Sequence, residues 1–289
     1  TEVGLTPGQA YRGRVATMTG RALTRNIGWM DLHLDDLENS TATGGEMRLY
    51  GLHIQGVPTL SQYAPTITPA LYAFVSRLLS EPGDTQMRSM LVMRRIEPRI
   101  LALIGVRYVI TDTLFDGDAT LRLKMPVKDG KQLHVYEIAD ANLGAYSPTR
   151  VVVLADATAI LERIGRPDFD GRREVTVEAA LPGDLVPSGA ARLVFEGGTL
   201  RGQAESAGRS LLVLPLEFSR CLQVETLRGE APVLRRVNLV QTGFLFRGAV
   251  DARLRIRHGP SVNPRCRLHD RFDLDVLKIG DVPKLLPGR

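Results

Sequence analysis

Two hydrophobic periods divide the chain. Between Tyr11 and about Glu178, short alternating or continuous apolar runs are interleaved with helical ones. Arg14–Met18, Glu46–Tyr50, Tyr108–Thr111, Thr120–Met125, Gln132–Ile138 and Arg150–Leu154 read as strands, rich in the β-branched and aromatic residues that suit a pleated surface. Pro69 opens a helix through Leu79 with Ala70, Phe74 and Leu78 on one apolar face. Met87–Glu97 reads as another helix, broken or restarted by Pro98, which lacks the N–H a helix interior needs. Arg99–Asp112 then joins an apolar helical run to a strand through Gly105, placed where a helix must stop. Asp156 caps a short amphipathic helix with Ile160, Leu161 and Ile164 inward, closed by Gly165 and Pro167. Glu174–Glu178 alternates charged and β-branched residues, which predicts a half-exposed strand.

From about Leu181 onward only strand signals occur, separated by Gly, Pro and Ser turns. They are Arg192–Glu196, Leu200–Glu205, Ser210–Leu216, Leu222–Leu227, Leu234–Leu239, Gly243–Phe246 and Ala249–Arg257. In Asp251–Arg257 charge and apolarity alternate strictly, giving one wet and one packed face. The expectation is an α+β chain: a mixed α/β domain over residues 1–180, then an antiparallel β-sandwich of jelly-roll or immunoglobulin type over 181–289, with a C-terminal tail. A length of 289 residues accommodates two such domains.

Composition narrows the class. With 44% hydrophobic and 24% charged residues the chain is an ordinary folded protein. The net charge of +5 comes mostly from arginines scattered no more densely than pairs, so no nucleic-acid partner is expected. Apolar runs reach only about seven residues, far below the ~18–20 that span a bilayer. The chain begins Thr-Glu-Val without a methionine, which reads as a fragment whose anchor or export signal lies upstream. Cys221 and Cys266 have neither CxxC spacing nor a histidine cluster. A disulfide between them and two separate buried thiols are both open readings.

No catalytic constellation emerges. Asp31, His33 and Asp35 would share a strand face, but one face leaves a metal shell incomplete, and an acidic surface is the better reading. Asp168-Phe-Asp170 resembles a cation-holding Asp-x-Asp pair, yet its place after Gly165 and Pro167 favours turn residues. The five histidines are dispersed, and neither a nucleophile elbow nor a phosphate loop is present. Trp29, Tyr50, Tyr63 and Tyr72 are the candidates for a sugar-stacking platform, against their plainer reading as core aromatics. No catalytic residue, metal or cofactor is assigned.

Several segments resemble the soluble extracytoplasmic C-terminal region of the YfhO-like bacterial membrane protein family. In order they are Tyr50–Leu52, Tyr63–Pro65, Pro69–Tyr72, Leu103–Asp112, Leu133–Glu137, Pro148–Val153, Asp156–Ile164 leading into Pro167–Glu178, Leu211–Leu214, Arg236–Asn238 and Arg253–Pro260. The chain departs from that family where a Tyr-Pro-Gly-Trp-like turn is expected: Glu217–Cys221 has no tryptophan, and Arg228-Gly229 replaces an Asp-Gly hairpin. That family is grouped with GT-C-type, polyprenyl-phosphate-dependent glycosyltransferases, whose catalytic acid lies among membrane helices. The resemblance implies a non-catalytic region on the periplasmic face of a bacterial membrane, continuing an upstream transmembrane part. It would assist binding of a glycan or lipid-linked sugar, or assembly. The alternative is a glycan- or protein-binding module with no transferase attached.

Overall fold

The computed structural model describes residues 8–18, 25–27, 30–32, 52, 57–60, 68–82, 84, 93–126, 132–196, 199–256 and 276–279. The chain is mostly β, with several sheets. It forms two compact units that are interleaved in sequence. The first takes Thr1–Leu5, Arg12–Pro65 and Leu78–Ala141, and the second Thr6–Tyr11, Thr66–Arg77 and Asn142–Arg289.

In the first unit, β1 (Arg14–Met18), β4 (Thr59–Leu60), β5 (Val106–Thr111), β6 (Ala119–Pro126) and β7 (Gln132–Ile138) build one sheet in the order β4-β1-β5-β7-β6. β1 is parallel to β4 and β5, while β5, β7 and β6 run antiparallel. Val15, Val57, Tyr108, Ile110 and Leu133 pack together as its core. A two-stranded ribbon, β2 (Arg25–Ile27) with β3 (Met30–Leu32), is separate. The expected helix over Met87–Glu97 is corrected over residues 93–97, which are irregular. Pro98 starts the helix instead, at the position where its missing N–H costs nothing, and α2 spans Pro98–Leu103. Gly105, at φ +79°, turns the chain straight into β5, and its carbonyl accepts from the Arg14 N–H at 2.8 Å.

The second unit contains α1 (Pro69–Leu78, up to Arg77), β8 (Arg150–Val153), α3 (Ala157–Gly165) and β9 (Glu174–Val177). β8 and β9 pair in parallel. Asp156 caps α3, its Oδ1 accepting from the Ala159 N–H at 2.8 Å. The remaining strands, β10 (Ala191–Glu196), β11 (Thr199–Glu217), β12 (Leu222–Gly229), β13 (Val233–Val237) and β14 (Gln241–Ile256), form an antiparallel sheet in the order β10-β11-β14-β12, with β13 also on β14.

Two expectations about strands are corrected here. Leu200–Glu205 and Ser210–Leu216 are one strand, β11, and Gly243–Phe246 and Ala249–Arg257 are joined in β14. Gly208 and Gly248 read as turn glycines, but they lie where the register slips between Glu205 and Arg209 opposite Arg247 and Ala249. The two strands bulge there together and continue, because the pairing on either side is retained. Glu174–Val177 is fully buried rather than half-exposed, since its polar side chains have partners, described below.

On the β10–β11–β14 surface, Arg201 donates to Asp251 at 2.6 Å and to Glu196 at 3.2 Å, and Arg253 donates to Glu196 at 3.0 Å. Hydrogen bonds from Arg201 and Gln203 hold Asp251 below the ordinary carboxylate range, and those from Arg253 and Arg201 do the same for Glu196. A carboxyl with a depressed folded pKa stabilises the fold above its unfolded value, about 3.9 for aspartate, and that stability is lost as pH falls through the folded value. Stability measured in urea is therefore expected to fall from pH 5 towards pH 2, and Asp251→Asn should flatten that slope.

Candidate functional site

The β8–α3–β9 element carries a connected set of arginines and carboxylates. Arg150 and three consecutive valines make β8, and Asp156 then starts α3, whose Ile160, Leu161 and Ile164 are buried. The last turn of α3 presents Arg163. Its guanidinium grips Glu174 of β9 with both arms, at 2.6 and 2.8 Å, and reaches Asp168 at 3.0 Å. It also lies 5.7 Å from the Phe169 ring centroid. Hydrogen bonding to Glu174 raises Arg163 further above its already high value.

Around this pair the charges form a chain. Arg166 donates to Asp168 at 3.0 Å, Arg150 lies 3.5 Å from Glu174, and Arg172 and Arg173 both face Asp170. Hydrogen bonding from Arg166, joined by Arg163, lowers the Asp168 carboxyl. Burial alone would raise Asp170, but Arg172 and Arg173 outweigh it and lower that carboxyl too. Arg150, Arg163, Arg166, Arg172 and Arg173 meet Asp168, Asp170 and Glu174 here, five guanidinium groups against three carboxylates. The Asp168–Asp170 pair is thereby occupied by guanidinium groups. Among the described residues no group of three His, Cys, Asp or Glu side chains is placed to hold a metal ion.

An open groove of about 280 Å³ runs along β8. Thr149, Val151 and Val153 line one side, and Leu181, Asp184 and Leu185 the other. The wall turns at Pro182-Gly183, where Gly183 has φ +66° and the Pro182 carbonyl accepts from Arg209 Nη1 at 2.6 Å.

The first unit holds a second polar feature. Strand order β4-β1-β5 puts β1 between two strands that follow it in sequence, the arrangement that opens a crevice at carboxyl ends in α/β sheets. Thr111 and Asp112 at the end of β5 are buried, as is His134, the register partner of Thr111 on β7. His134 is 6% exposed, and its Nδ1 has no hydrogen-bond partner among the described residues. Tyr136 accepts from the Phe115 N–H at 3.4 Å and packs its ring at 4.1 Å from that of Phe115.

Of the sequence-predicted residues, Trp29, Tyr50 and Tyr63 lie outside the described residues. Tyr72 is on α1, 4% exposed, and burial raises its hydroxyl while a hydrogen bond with Ser76 opposes the rise. Cys221 is buried and disulfide-bonded; Cys266, the chain's other cysteine, lies outside the described residues. Sequence reasoning missed the Arg163–Glu174 pair and the groove. An acidic residue opening an otherwise β-branched strand, Glu174, was the one available signal. Comparison with family models, with curated proteins and with solved structures finds no match.

Proposed function

We propose that this chain is a non-catalytic extracytoplasmic region of a polytopic, glycosyltransferase-like membrane protein, with a mixed α/β part followed by a β-sandwich. In this reading it assists binding of a glycan or lipid-linked sugar, or assembly, beside the transmembrane part of its parent. The bonded state of Cys221 supports this reading, because disulfides persist in oxidising compartments and are rare in the cytosol. The ordered resemblance of segments from Tyr50 to Pro260 supports the family reading. The arginine–carboxylate network supports a binding role over a catalytic one, since each carboxylate in it is neutralised by an arginine and is a poor general base.

The test is peptide mapping without reductant, on protein exported to a bacterial periplasm and on protein retained in the cytoplasm. The exported protein is expected to yield one cross-linked peptide pair containing Cys221 and Cys266. Alkylation of both thiols in the exported protein overturns the placement. Sugar transfer or glycan hydrolysis by the isolated chain would overturn the non-catalytic reading.

A further inference from the structure

We propose that Gly8–Tyr11 is an exchangeable strand, and that the outer edge of β10 accepts it from a second copy of this chain. Segment and edge both belong to the second unit, and the chain's own pairing shows their fit. Ala10 faces Val194 in an antiparallel bridge. Gly8 N–H donates to the Phe195 carbonyl at 3.1 Å, and Tyr11 N–H to that of Leu193 at 2.7 Å. Arg192 Nη2 reaches the Gly8 carbonyl at 3.4 Å. Tyr11 is 7% exposed and anchors the segment, whereas Gly8, Gln9 and Ala10 are exposed. β10 ends its sheet among the described residues, so this segment supplies its outer pairing.

Among the described residues the segment's backbone is held to β10 by two hydrogen bonds, few enough to open while the rest of the unit stays folded. The chain passes from the second unit to the first between Tyr11 and Arg12, and such boundaries are where the fewest contacts must break. Beyond the boundary the chain is fixed again, since Arg14 begins β1 and its N–H donates to the Gly105 carbonyl. Transfer therefore turns on Arg12 and Gly13 alone. Gly13 has φ +95°, a region glycine enters and leaves at little cost. The partner is a second copy because an identical segment brings both the anchoring tyrosine and the carbonyl that Arg192 reaches. Exchange keeps every one of these contacts, and two copies that each give and receive close a two-fold pair. It competes with the chain's own pairing once concentration approaches that of a short tether's end, on the order of 1 mM. This inference is independent of the membrane placement.

The test mixes two full-length variants, Ala10→Cys and Val194→Cys, and oxidises them briefly at about 1 mM and at about 10 μM. Peptide mapping is expected to find a disulfide joining position 10 of one chain to position 194 of the other, at least about tenfold less of it at the lower concentration. Val194 is 4% exposed, so chance collision does not reach that position. Gly13→Ala places a side chain at the left-handed hinge angle of the unexchanged form, and should raise the yield of that bond about tenfold at the lower concentration. Sedimentation of the unaltered chain supplies a second reading that needs no variant: a dimer should grow as concentration rises towards about 1 mM. A chain that stays monomeric up to that concentration overturns the proposal. So does a dimer in which the mixed variants do not join positions 10 and 194, since its contact would then lie elsewhere.

Discussion

Asn238→Ala is expected to destabilise the second unit by about 4 kcal/mol, the largest single effect foreseen for this chain. Asn238 is fully buried at the turn between β13 and β14. Its backbone N–H donates to the Thr176 carbonyl at 2.9 Å, and its Oδ1 accepts from the Thr176 N–H at 3.0 Å. The side chain thus imitates a strand residue and pairs with β9 on the edge away from β8. Its Nδ2 donates to Gln241 Oε1 at 2.9 Å. Alanine removes the buried acceptor of the Thr176 N–H and the amide donor to Gln241 Oε1, each loss costing about 1–3 kcal/mol. Asn238 also has φ +48°, a region asparagine tolerates better than alanine. Asn238→Gly should therefore recover about 1 kcal/mol of the loss while leaving the hydrogen-bond deficit in place. Urea unfolding of the three proteins measures both parts, and equal stability of the alanine and unaltered chains would refute the account.

Arg163→Met is expected to cost about 3 kcal/mol, at the lower end of the range for removing one partner of a buried pair. Glu174 is 4% exposed and, among the described residues, would keep only the Arg150 cation, at 3.5 Å and largely in solvent. The loss comes from stranding a charge rather than from the worth of the pair, which gives the prediction its sharper form. Arg163→Met combined with Glu174→Met should lie within about 1 kcal/mol of the unaltered chain, because well-packed apolar replacements of a buried pair are often neutral. A double variant as unstable as the single one would show that the pair contributes more than it costs to bury.

These two sites mark where local pattern stops being informative. Strands with one wet face, such as Asp251–Arg255, are legible from alternation, and Gln132–Ile138 and Arg14–Met18 have the bounds their residues predict. The α3 helix is legible to its cap, since Asp156 and Gly165 act on neighbours within one turn. Glu174–Val177 misleads because its alternation of acid and valine has the form of an exposed strand. Its burial depends on Arg163, eleven residues back, and on Asn238, sixty-two residues on from Thr176. The same reason hides the groove, which brings Thr149–Val153 together with Leu181–Leu185, some thirty residues on. Gly208 and Gly248 mislead differently, since a glycine that bends a paired strand and one that ends it are the same residue in sequence.

The interleaving of the two units bears on how the chain is made. Segment 8–11 belongs to the second unit through bonds to β10: Gly8 N–H donates to the Phe195 carbonyl at 3.1 Å and Tyr11 N–H to that of Leu193 at 2.7 Å. Ribosomes add about 5–20 residues per second, so this segment waits on the order of 10–40 s after its own synthesis for β10 to emerge. During that interval α1 is likewise complete, while residues 142 onward are still to be made. The second unit therefore cannot close before residues far along the chain are made, and no single cut in the chain releases it intact. Truncation before Asn142 removes the cover that segment 8–11 supplies to β10, leaving that strand as an open edge.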